Sequence, residues 1–526
     1  MNENRNVNLS NLFHLHAIMA VEERSGELPH DVYPLHSLDD SKVNHCFVNW
    51  MMRFNDVLDA EILNEALSRL LRIGDWKKLG GRLRYKVCSL QKLREYSLAT
   101  EGLIYSWQEN GRLEIHVPRS TGLEHKTVFF TQASHDMKLE DHPIARNLPK
   151  ETDGPSVQNI TTDTRPLIAR PNFPSFEDMI HQNEPIISLH ITTFTDSTTI
   201  ALTWPHCLMD AIGAHALLAG WSSVLAGRED EVPDVLGARE DICRHPLITG
   251  SDDSPEELKM ENKRLKGPGV MMFMLRFYWD KLWNSKRERR VIYLPKNAFD
   301  KLKEKALREV VDTTPDTEKP SFVSDSDILT AWVAKAFTES EPNERPVTIL
   351  NLTNARYRIP LLAKSAGVFI QNMVLGTYTF LSGKAGSETV GSIALQHREH
   401  LTEQGTESQA LTLLREIFHD KDEGKESLLL FGNSNMIPII FNNLLKAKLM
   451  ETLDLSPAVV KQGDVGESRK NPPGRMVNYY NEAIGPTYVG FNIFNMLGQD
   501  FAGNYWLMGT LLPRAWAKLD EALKAI

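Results

Sequence analysis

The sequence predicts a mixed α/β protein built from two αβ domains of similar size, with a cleft between them. Three observations predict it. At 526 residues the chain exceeds the ~250–300 residues at which a single apolar core stops growing. Segments with helical apolar spacing alternate with short β-rich runs along the whole chain. The alternation is interrupted near the middle by a charge-rich stretch and then restarts. These observations divide the chain into a first domain at 1–226, a crossover at 227–290 and a second domain at 291–526.

In the first domain, Val57, Leu58, Ile62, Leu63, Ala66, Leu67, Leu70 and Leu71 recur at helical spacing and predict an amphipathic helix over 54–72, stopped by Gly80 and Gly81. Residues 114–117, 186–193 and 198–204 read as strands, the last two joined as a hairpin by the polar turn Thr195, Asp196 and Ser197. A helix over 211–226 follows, closed by Gly227. In the crossover, 270–279 is the most apolar stretch of the chain. It is broken by Arg276 and is half the ~20 residues a bilayer span needs. A buried helix is the expectation there, with contact to a membrane surface as the other reading. The second domain begins with a strand at 290–294 and a helix at 299–310. A polar loop at 311–319 leads to a helix capped by Ser324 or Asp325 and running to 337, then to a buried strand at 347–352. No unit of 20 to 50 residues repeats, which excludes solenoids and propellers.

The formal charge of −10 argues against a nucleic-acid surface, which needs clustered cations to displace counterions. The basic run Lys286, Arg287, Arg289, Arg290 reads as a solvated face, or as a strip beside which an anionic coenzyme passes. Four cysteines (Cys46, Cys88, Cys207 and Cys243) form no CxxC pair and are too sparse for a disulfide scaffold. With an amino terminus lacking a basic start and an apolar stretch, this points to a reducing, cytoplasmic location.

Two HxxxD elements occur, as chance nearly allows with 17 histidines. His36 with Asp40 lies in a polar loop that no regular element positions, and is taken as accidental. His206 with Asp210 follows an apolar strand and Pro205 and precedes a helix, so two rigid elements hold its backbone at a cleft. A neutral imidazole there can take a proton from a hydroxyl and return it to a leaving group. The other reading has Asp210 capping the helix and His206 as a satisfied turn residue; the two roles are compatible. No GxSxG elbow or phosphate-cradling glycine loop is present. His215, nine residues beyond His206, is off the spacing a third metal ligand needs, so no metal is expected.

The tract His206, Cys207, Leu208, Met209, Asp210, Ala211, Ile212, Gly213, with Gly220, Trp221 and residues 227–233, resembles the signature of the BAHD-type acyltransferases in their fungal secondary-metabolism branch. Asn354, Arg356, Arg358 and Pro360, with 367–372, are similar to the family's arginine-bearing strand and following turn. Phe441, Asn442 and Asn443, the 454–458 tract, 503–506 and 512–516 resemble its C-terminal elements. Ala211 stands where plant members carry glycine, and Leu444 where a tryptophan is expected. The resemblance implies two chloramphenicol acetyltransferase-like domains with a channel between them. It implies His206 as base, Asp210 as an orienting residue, Arg356 as its partner and Asn443 as an oxyanion donor.

It also implies transfer of an acyl group, acetyl by family habit, from acyl-CoA to a hydroxyl of a small acceptor such as a terpenoid or polyketide. Acyl-CoA is then a co-substrate, no cofactor is bound, and a monomer carries the whole site. Two rivals use the same scaffold. One is a non-acylating binding protein or cyclase, and the other a condensation-type enzyme fed by a carrier protein. Cys207 reads as packed rather than as an acyl carrier. The loops 421–427 and 462–473 are expected to shape the channel.

Overall fold

The computed structural model describes residues 30–86, 113–119, 126–160, 164–169, 175–245, 248, 256–284, 286–313, 322–427, 429–463, 466, 469–485 and 490–526. The amino-terminal start, Cys88, the acidic 251–253 and loop residues 314–319 lie outside the described residues.

Strands β1 (Phe47–Phe54), β2 (Phe129–Ser134), β3 (Ser156–Asn159), β4 (Ser188–Thr193) and β5 (Thr198–Pro205) precede the crossover. Strands β6 (Glu288–Leu294), β7 (Val347–Asn354), β8 (Val374–Leu381), β9 (Ile437–Asn443), β10 (Met476–Ile484), β11 (Asn492–Gln499) and β12 (Tyr505–Leu511) follow. They form a five-stranded sheet, ordered β10-β1-β5-β4-β2, and a seven-stranded sheet, ordered β8-β7-β9-β11-β12-β6-β3. Both are mixed: β2 runs parallel to β4, and β9 parallel to β7 and β11, while the other pairs are antiparallel.

Every residue of β5 is buried, which suits its run of Thr, Ile, Leu and Trp to a strand covered on both faces. The predicted hairpin is present, with Thr193 opposite Thr198. Two strands cross the linear partition 1–226, 227–290, 291–526. Strand β10, late in the chain, completes the first sheet beside β1, and β3, from the first half, edges the second sheet beside β6. Edge pairing is decided by which backbone donors meet in space, and the exchange ties the halves together.

Helix α1 (Ala60–Leu70) starts six residues later than predicted. Phe54 ends β1, and Asp59 caps the helix by accepting Glu61 N and Ile62 N at 3.0 Å. The helix also ends well before Gly80 and Gly81. Gly81 serves close packing instead: a Cβ there would lie 2.4 Å from Ile115 Cγ2. Helix α2 (Ala211–Leu225) has no exposed residue and packs on α1, with Trp221 Nε1 donating to the Leu63 carbonyl at 3.0 Å. Its all-round apolar composition matches that burial.

The crossover departs from expectation. Helix α3 (Pro268–Trp283) buries only Phe273 fully, so the apolar stretch at 270–279 is not a core helix. The basic run is not an open face either. Strand β6 begins within it, Arg289 pairs with Glu482, and Arg287 Nε donates to Asn492 Oδ1 at 3.1 Å.

Helices α4 (Lys296–Thr313), α5 (Asp325–Ser340), α6 (Val390–Gln404), α7 (Glu407–Asp422) and α8 (Pro513–Lys524) complete the second half. Helix α5 opens with a capping box between Ser324 and Asp327 and packs between α6 and α8. The larger core does not stop at the domain seam: it includes Ile370, Leu497, Trp506 and Met508 together with Trp50, Trp204 and Trp221.

Candidate active site

Strand β5 delivers the site. Pro205 ends it, having no N–H for the ladder, and His206–Leu208 form one 3-10 turn before Asp210 starts α2. The backbone of His206 is held from both halves of the chain. Its N–H donates to the Cys46 carbonyl at 2.7 Å, and its carbonyl accepts Asn372 Nδ2 at 2.9 Å. The imidazole is partly exposed on the wall of a cavity of about 1890 Å3. Trp50 and Trp204 line this cavity from the first sheet, and Leu352, Asn442 and Asn495 from the second.

Burial pushes the imidazole below its ordinary 6.5, and its own carbonyl and Asp210 offset that in part. The ring is therefore neutral at pH 7. Its Nδ1 is buried and has no well-formed hydrogen bond among the described residues. Cys207 is buried, and burial holds its thiol far above the ordinary value, which keeps the nucleophilic thiolate from forming.

Asp210 has both carboxylate oxygens engaged. Oδ1 accepts Ile212 N at 3.0 Å and Gly213 N at 2.9 Å, capping α2. Oδ2 accepts Arg356 Nη1 at 2.7 Å, Met373 N at 3.0 Å and Asn354 Nδ2 at 3.3 Å. Arg356 lies on the single turn Ala355–Tyr357 after β7, where Asn354 caps the turn. Its guanidinium also donates to the Phe369 carbonyl, at 2.9 Å from Nη2 and 3.1 Å from Nε, and to the Gln371 carbonyl. The structure thus places His206, on the cavity wall, four residues before the buried Asp210–Arg356 pair at the junction between the halves. Asn443 stands apart from that junction, at the end of β9 on the cavity wall. It is exposed, and its Oδ1 accepts Leu445 N at 3.0 Å.

Sequence reasoning gives no role to Asp39 and none of its own to Asn372, and takes His36 as accidental. The loop after Pro34 is not idle, since His36 and Asp39 are buried. Asp39 Oδ1 accepts both Asn372 N, at 2.7 Å, and Asn372 Nδ2, at 2.9 Å, the same amide that holds the His206 carbonyl. Burial raises the Asp39 carboxyl and lowers the amine of nearby Lys78, whose Nζ finds no hydrogen-bond partner among the described residues. No spacing rule links Asp39 to Asn372, which lie 333 positions apart. The one available signal was the asparagine at the end of 367–372.

Gly213 shows why the motif needs a glycine on the first turn of α2. A Cβ there would lie 2.2 Å from the Ile370 carbonyl oxygen and 2.9 Å from Met209 Cβ. Gly213→Ala is expected to cost about 1–3 kcal/mol in urea unfolding through overpacking. Gly220→Ala, whose methyl meets only the flexible end of Leu70 at 3.1 Å, is expected to cost clearly less.

No protein-family profile matches the chain. It is 31% identical over 512 residues to the O-acetyltransferase PaAT-2 of Phomopsis amygdali, covering 94% of this chain and 98% of that one. It is also 31% identical over 499 residues to the acetyltransferase pyiB of Pyricularia grisea, covering 94% of each. Among solved structures, F. graminearum TRI101 complexed with coenzyme A and T-2 mycotoxin superposes with a TM-score of 0.64 at 14% identity. That superposition covers 93% of this chain and 96% of TRI101. With relatives of this identity along nearly its whole length and this fold beneath its HxxxD turn, the chain belongs to the fungal secondary-metabolism branch of the BAHD-type acyltransferases and is an acyltransferase enzyme.

Proposed function

We propose that the protein transfers an acyl group, acetyl foremost, from acyl-CoA to a hydroxyl of a secondary metabolite such as a terpenoid or polyketide. His206 acts as general base, and no covalent acyl-enzyme forms. One observation carries the reading: a neutral, backbone-clamped imidazole on the wall of a cavity of about 1890 Å3 that both sheets line. That volume exceeds the ~300–1,000 Å3 of a pocket for one small ligand, and suits a coenzyme and an acceptor together. The acetyltransferase names of the relatives and the coenzyme A in TRI101 support the donor.

In this mechanism His206 Nε2 takes the proton of the bound hydroxyl as its oxygen attacks the thioester carbonyl. Asn443 is the proposed donor to the oxyanion that forms. The C–S bond then breaks, and the imidazolium returns the proton to the departing sulfur, leaving an ester and free coenzyme thiol. Asp210 and Arg356 touch no reacting atom; they hold the turn from which His206 projects. Asn372, held by Asp39, positions the same turn through the His206 carbonyl.

The test is turnover of acetyl-CoA with a panel of hydroxylated terpenoids and polyketides, following product mass and free thiol. One thiol per ester and no acyl adduct on the quenched intact protein are expected. Transfer from a carrier-bound thioester alone would overturn the coenzyme reading. Binding of an apolar product with no thiol release under any acceptor would favour the cyclase or binding protein. In the same assay, kcat/KM is expected to be flat above neutrality and to fall as pH drops through a value below 6.5. Protonating the imidazole removes the base, and burial holds that step below the ordinary histidine range.

A further inference from the structure

Helix α3 turns an apolar face to solvent. Met271, Leu275, Tyr278, Trp279, Leu282 and Trp283 are 55–76% exposed, and their spacing puts them on one side of the helix. A solvated helix has no use for such a stripe, which marks a surface meant to be covered. Among the described residues no helix is long and apolar enough to cross a membrane, and α3 has 16 residues. A helix of this kind can lie along a membrane surface.

Its chemistry selects the partner. Two tryptophans and a tyrosine are side chains that settle at the headgroup boundary, with an apolar body and a polar edge. Charge agrees. From 268 to 286 the cations are Arg276, Lys281 and Lys286, and the single acid, Asp280, is engaged by Arg345 at 2.7 Å. A chain of net charge −10 thus gathers local positive charge beside this exposed apolar face. Position agrees as well. Phe277, on the inner side of α3, packs its ring tilted at 39° with its centroid 5.0 Å from that of Phe491, and the Lys281 stem lies against Gly490. Both Phe491 and Gly490 line the large cavity.

We propose that α3 docks this enzyme flat on an anionic phospholipid surface and sets the part of the cavity lined by Gly490 and Phe491 where an apolar acceptor leaves the bilayer. The docking stands on the helix alone; delivery of an acceptor rests on the acyl-transfer reading.

Full-length protein is sedimented with vesicles of phosphatidylcholine, with and without phosphatidylserine at ~30%. Binding to the anionic vesicles, weakened by salt, is expected. The variant Leu275→Glu/Trp279→Glu/Leu282→Glu changes only exposed positions, so its fold and its turnover of a water-soluble acceptor should persist. Its bound fraction is expected to drop about tenfold or more. Three outcomes overturn the proposal: wild type that stays in the supernatant, a variant that still sediments equally, or loss of a dimer in the variant without any vesicle binding. The last would make a second copy the occupant. Turnover failing in both proteins while wild type alone binds vesicles would sink the acyl-transfer reading and leave the docking intact.

Discussion

Alanine at position 206 is expected to lower kcat by about 100- to 10,000-fold with little change in stability. The rate loss follows from removing the imidazole proposed to accept the proton of the bound hydroxyl. The small stability change follows from where the side chain sits. The hydrogen bonds that fix this turn run through the backbone N–H and carbonyl of His206, which alanine keeps. The imidazole already borders an open cavity, so truncation enlarges existing space rather than creating a sealed void. Single-turnover kinetics with a melting curve check both halves. Full-rate transfer by His206→Ala would mean that another group is the base. A rate loss matched by unfolding would mean that the residue is structural.

Arg356→Met is expected to cost about 3–5 kcal/mol of stability in denaturant titration, with activity lost in proportion to folded protein. The arginine is buried with Asp210, and its guanidinium also satisfies the carbonyls of Phe369 and Gln371. Methionine fills much of the volume but leaves a buried carboxylate without its countercharge and two carbonyls without donors. Arg356→Lys should recover little, because one ammonium cannot span acceptors set around a planar fork. Asp210→Asn retains the cap on α2 yet strands the cation. The double variant Asp210→Asn/Arg356→Met is therefore expected to cost less than the sum of the singles. Additive losses would show that the two side chains do not act as a pair.

Local chemistry made much of the fold legible. The β4–β5 hairpin, the strand–turn–helix around His206, the Ser324 cap and the strand at β7 each depend on neighbours a few residues apart, and each lies close to where residue spacing puts it. Helix α1 starts later than its apolar spacing predicts because Phe54 carries an apolar side chain that suits a strand as well as a helix, and the cap at Asp59 decides between them. The 270–279 stretch departs from the buried helix its composition predicts because composition records how apolar a segment is, whereas burial depends on what faces it.

By itself, then, the sequence determined the fold class, the alternation of elements and the turn that carries His206, all of which are set by periodicity, caps and breakers within short windows. Only the tertiary structure decided that β10 and β3 change sheets and that the expected Asp210–Arg356 pair is joined on one side by Met373 N and on the other by the carbonyls of Phe369 and Gln371. It alone decided that Asp39, through Asn372, braces the carbonyl of His206, and that the apolar side of α3 faces outward. The physical reason is common to all four. Backbone edges, buried charges and apolar faces find partners hundreds of residues away, and the selection rests on complementarity in space, which no local pattern of residues encodes.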